Sequence, residues 1–108
     1  MIRPLLGRPL IEHRLREVHD RLRRAREELA IIDEQLISLE ETAEDARIRS
    51  LVSETPLAER DWIEAQRHAD AARRSKETTV ALIGELEKRR DELLARLPPA
   101  AGLGGKPF

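Results

Sequence analysis

Few residues of this chain are placed to do chemistry. Glu64 and His68 stand four apart, so a helix would bring them to one face, with Asp61 one turn earlier. A carboxylate and an imidazole at that spacing can hold a divalent cation. The same spacing is ordinary on solvated helix surface, so no metal site is assigned. His13 and His19 lie six apart, which points them to different sides of a helix. The run GLGG at 102–105 follows no strand and opens no helix, so it is no phosphate loop. RRSK at 73–76 has the form of a basophilic phosphorylation site but falls inside a helical segment. Without cysteine there can be no disulfide, thiolate ligand or thiol nucleophile. No nucleophile, base and orienting group come together. The chain therefore reads as a non-enzyme with no catalytic residue, cofactor, metal or small-molecule substrate.

What remains is a charge pattern. The net charge is −1, so bulk charge gives no affinity for nucleic acid or membrane. The distribution is uneven. Residues 1–26 hold eight arginines, among them Arg14, Arg21 and Arg24, against Glu12, Glu17 and Asp20. Residues 40–64 hold Glu40, Glu41, Glu44, Asp45, Glu54, Glu59, Asp61 and Glu64 against Arg47, Arg49 and Arg60. Residues 86–108 are again basic. Glu54, Glu59 and Asp61 have a structural reason to be acidic if a helix begins beside them, because its first turn favours anions. Glu40, Glu41, Glu44 and Asp45 would sit near a helix C-terminus, which disfavours them, so they are candidates for contact with a partner.

The elements that carry these charges follow from composition and spacing. Charged residues make up 38% of the chain, and the aromatics are Trp62 and Phe108 alone, which is the make-up of long helices and not of a large globular core. Ile11, Leu15, Val18, Leu22, Ala25, Leu29, Ile32, Leu36, Leu39, Ala43 and Ala46 alternate at spacings of four and three, the seam of a coiled coil. No proline or glycine interrupts residues 10–52. A weaker seam of the same period runs Trp62, Ala65, Ala69, Ala72, Lys76, Thr79, Ile83, Leu86, Arg90, Leu93 and Leu97. Between the two, SETP at 53–56 ends one helix and starts another. Pro56 disfavours helical geometry at Thr55 and is itself well placed at a first helical position, where Thr55 can cap. So short a connection leaves the two helices antiparallel neighbours.

The expected fold is therefore all-α, two long helices forming an antiparallel coiled-coil hairpin. An irregular arm over 1–9 precedes it, since Pro4, Gly7 and Pro9 fall there. Helix 1 spans about 10–52, the turn about 53–55 and helix 2 about 56–97. A disordered tail over 98–108 is expected from PPAAGLGGKPF. Folding the chain about residue 54 sets Leu36 and Leu39 opposite Ala69 and Ala72, and Ala43, Ala46 and Ser50 opposite Ala65 and Trp62, large against small. Lys76 then faces Asp33, and Arg90 comes near Glu17 and His19. The basic regions meet at the open end, and the acidic region forms the tip.

Ile37 and Ile48, with Ala30, share an outer face of helix 1, and Val80 and Leu94 share one on helix 2. These leftover apolar positions predict self-association or docking to a partner protein. The basic end could touch nucleic acid, but interleaved acids and the lack of aromatic stacking partners argue against it. No stretch approaches the ~18 apolar residues of a membrane span. Arg3, Pro4, Gly7, Arg8 and Pro9 break up any signal-like apolar run, so a cytoplasmic protein without membrane contact is expected. The excess of arginine over lysine fits bacterial coding of high GC content. In outline the arrangement resembles the bacterial transcript-cleavage factors of the Gre type, which present acidic residues at the tip of an antiparallel coiled-coil hairpin that enters a polymerase channel. The likeness covers the hairpin and not the second globular domain of those factors, and no tip motif matches residue by residue. It implies, as an alternative to a general interaction module, a regulator that binds RNA polymerase or a nucleic-acid machine through its acidic tip.

Overall fold

The computed structural model describes residues 3–98, with side chains from Gly7 onward. Two helices account for almost all of it: α1, Arg3–Ser53, and α2, Pro56–Arg96. They form an antiparallel hairpin in which only Glu54 and Thr55 lie between the helices. The turn is built as the residue types predict. Thr55 Oγ1 accepts a hydrogen bond from the Ala58 amide at 3.1 Å, and the Thr55 carbonyl accepts from Glu59 at 3.1 Å. Thr55 is thus the N-cap of α2 and Pro56 its first residue. At the other side of the turn, the Glu54 amide donates to the Ser50 carbonyl at 2.9 Å, and Glu54 adopts a left-handed φ of 55°. That combination closes α1 through an αL cap.

The arm expected over 1–9 is not irregular where it is described. Helix α1 starts at Arg3 and runs through Pro9. The first amides of a helix need no intrahelical partner, so Pro4 fits the opening turn. Pro9 removes one hydrogen bond of the ladder, but the fixed φ of a proline, about −65°, is itself helical. Arg8 supports the same segment, with Nε 3.0 Å from Glu12 Oε2 and Nη1 donating to the Pro98 carbonyl at 2.9 Å. Of the tail expected over 98–108, Pro98 is described and lies past the end of α2; 99–108 lie outside the described residues.

The chain divides into two compact units, each containing a stretch of both helices. In one, the α1 residues up to Arg24 accompany the α2 residues from Ile83 onward. Its buried side chains are large: Val18, Leu22, Leu86 and Leu93. The other unit, Ala25–Leu82, contains the turn. Its buried set is dominated by small residues, Ala25, Ala43, Ala46, Ala65 and Ala69 with Ile32, Leu36 and Thr79, and Trp62 packs against the Ala43, Ala46 and Ala65 cluster. Two ion pairs between α1 and α2 mark the register of this unit: Lys76 Nζ to Asp33 Oδ1 at 2.9 Å, and Arg73 Nη2 to Glu40 Oε2 at 2.8 Å. The first is the pair expected from folding the chain at its midpoint. Every position of both predicted seams is buried or half-buried, the polar Lys76, Thr79 and Arg90 included. Among the described residues no buried side-chain nitrogen or oxygen lacks a partner.

Candidate functional site

The turn of the second unit carries side chains that its own core does not use. Ile48, Leu51 and Val52 follow i, i+3, i+4 spacing on the last turns of α1, so they share one face. Leu51 is 60% exposed and Val52 77% exposed; across the turn Leu57 is 65% exposed. The seam has already passed to Ala43, Ala46 and Ser50, which leaves these aliphatics pointing away from it. Ile37, a candidate from the sequence, is 60% exposed on the same helix. Leu51, Val52 and Leu57 were not singled out by the seam pattern. Their signal was available: they are large apolar residues off the heptad positions, next to the turn.

The acidic candidates separate into different environments. Glu40 is bound to Arg73, which also reaches Asp70 Oδ1 at 2.6 Å. Its hydrogen bond, with that of Asp70, raises the already high pKa of the Arg73 guanidinium. Glu44 takes two hydrogen bonds from Arg47, Nε to Oε1 at 3.1 Å and Nη2 to Oε2 at 2.7 Å. That fork holds the Glu44 carboxyl below its usual range. So two of the four carboxylates expected to lack local compensation have it. Glu41 and Asp45 are exposed. Glu54 forms the left-handed cap, and Glu59 occupies the first turn of α2. Asp61 and Glu64 line an open groove with Leu57, Arg60, Ile63 and Arg67, and they also border His68 and Arg49 on the side of α1. Among the described residues no three His, Cys, Asp or Glu side chains are arranged to hold a metal ion.

The basic candidates belong to the other unit. Arg14, Arg21 and Arg24 line an open groove with Arg89, above Val18 and beside Glu17 and Asp20. Glu17 lies 3.3 Å from His13 Nε2. Arg90, expected near Glu17 and His19, instead turns to its neighbour Asp91, with Nε 3.1 Å from Oδ1. A long side chain at a half-buried seam position meets a carboxylate one residue along its own helix without crossing the interface.

No family model, curated protein or solved structure matches the chain. The described residues present two exposed helix surfaces of opposite charge, open grooves, and aliphatic side chains beside the turn. No helix among the described residues is long and apolar enough to cross a membrane.

Proposed function

We propose that the chain is a non-enzymatic protein-interaction module that self-associates or docks on a larger assembly through the outer face of α1 and the turn. The observation that carries this reading is the exposure of Ile37, Ile48, Leu51, Val52 and Leu57 in a unit whose seam positions are already filled. Clustered aliphatic exposure of that kind marks contact surfaces. The test is the mass in solution: light scattering at about 100 μM should give a multiple of the 12.4 kDa chain. A mass of one chain at that concentration removes self-association. A docking form of the reading, with RNA polymerase or another nucleic-acid machine as partner, draws its support from Glu54, Glu59 and Asp61 beside the exposed Leu57. Salt-sensitive co-purification with polymerase would assign that partner.

A further inference from the structure

Beyond the general reading, on which this inference rests, the charged faces specify how one copy meets the next. On α1 in the turn-containing unit, Glu34, Ile37, Glu41, Glu44 and Ile48 follow one another at three- and four-residue steps, and all are exposed. They form a face of three carboxylates and two isoleucines. An arginine suits such a face: its methylene stem covers an aliphatic neighbour while the guanidinium reaches a carboxylate. The other unit presents Arg14, Arg21 and Arg24 of α1, all exposed, along one groove shared with Arg89 of α2. Among the described residues no ion pair joins Arg14, Arg21, Arg24, Glu34 or Glu41 to another side chain, whereas Glu44 already takes the Arg47 fork and would share its carboxylate with a further arginine.

Spacing selects the register. Glu34, Glu41 and Glu44 repeat the order and separations of Arg14, Arg21 and Arg24. Two α1 helices laid parallel and staggered by about 30 Å, at ~1.5 Å per residue, set all three acids opposite all three arginines. In antiparallel register only two of the three pairs can align. The parallel register also brings Ala30 opposite the exposed Leu10. Glu17 falls opposite Ile37, and that position adds no charge attraction. We infer that the acidic–aliphatic face of α1 in the turn-containing unit binds the Arg14, Arg21, Arg24 face of a second copy, head to tail. A contact between two different faces is heterologous, and it leaves each end of the assembly able to take another copy.

Charge exchange tests this. In about 50 mM salt the wild-type mass should climb with concentration, and in about 0.5 M NaCl it should fall toward one chain, because screening weakens exposed ion pairs. The triple variant Glu34→Arg, Glu41→Arg, Glu44→Arg should stay monomeric alone, as should Arg14→Glu, Arg21→Glu, Arg24→Glu. An equimolar mixture of the two should assemble again, since each then offers the face the other lacks. Circular dichroism checks that both remain helical. Should either fail to fold, Glu34→Gln, Glu41→Gln, Glu44→Gln serves in its place, with association weakened about tenfold or more. A wild-type assembly that survives in the charge-reversed variants, or variants that stay apart when mixed, overturns the inference and leaves self-association standing. Loss of assembly on Leu51→Ser, Val52→Ser, Leu57→Ser alone, with the charge variants unaffected, moves the contact to the turn and overturns it too. A wild-type protein that is monomeric throughout removes both this inference and self-association.

Discussion

Glu54 holds a φ of 55°, where an L side chain crowds its own backbone. Its charge lies between the C-terminus of α1, which disfavours an anion, and the N-terminus of α2, which favours one, so the two dipoles offset and the backbone decides. Glycine would adopt the same backbone without crowding. Glu54→Gly should therefore raise stability by about 1 kcal/mol, read as a higher midpoint in denaturant with an unchanged slope. One residue on, the sign reverses. Thr55→Ala removes the oxygen that receives the Ala58 amide and should lower stability by about 1 kcal/mol in the same measurement. If Glu54→Gly proves destabilising, the carboxylate is making a contribution at the turn that the backbone geometry does not reveal.

Each helix relates differently to its own dipole. In α2, Glu59 stands in the first turn and Arg96 in the last, which suits its ends. In α1 neither end has a matching charge, so that helix draws its order from its seam. Within α2, Gly84 is exposed, and a Cβ added there would meet nothing within 4 Å. Gly84→Ala should thus add about 0.5–1 kcal/mol to thermal or denaturant stability and leave the helical spectrum unchanged. An unchanged or lowered stability would mean that the helix differs at that point from the one described. At this scale the sequence was most legible. A strict alternation of four and three named every seam position, and the Thr55–Pro56 pair named the helix start, because both signals are local and periodic. Pro9 misled, since the fixed φ of a proline is itself helical and α1 continues through it at the loss of one hydrogen bond. The left-handed Glu54 left no trace in the residue type, which is not one that favours that conformation. Arg47 beside Glu44 was legible in principle, three residues along one helix, whereas the bond of Arg73 to Glu40 needed the exact register of α2 on α1.

For the whole molecule, stability should concentrate where large side chains are buried. Leu22, 2% exposed, is the largest side chain fully enclosed among the described residues. Leu22→Ala should cost about 2–4 kcal/mol, a large share of the ~5–15 kcal/mol that ordinary domains possess. Chemical denaturation at low protein concentration measures this on the chain itself; repeating it at high concentration would show how much assembly restores. A loss under about 1 kcal/mol would mean that the surrounding leucines collapse into the space.

The two-residue connection at Glu54 and Thr55 also shapes how the chain finds its closed form. Pairings between the helices span short chain segments near the turn and long ones far from it: Arg73 and Glu40 are 33 residues apart, Arg8 and Pro98 are 90 apart. Loop-closure entropy rises only with the logarithm of that separation, so once the turn forms, each further pair costs little more than the last. The geometry is that of a zipper started at the Thr55 cap. Its first teeth, however, are Ala43, Ala46 and Ala65, which remove little apolar surface from water, while Leu22, Leu86 and Leu93 engage only after a long run of chain has aligned. The contacts nearest the turn in sequence are thus small residues gathered around Trp62, and the large buried leucines lie farther along the chain.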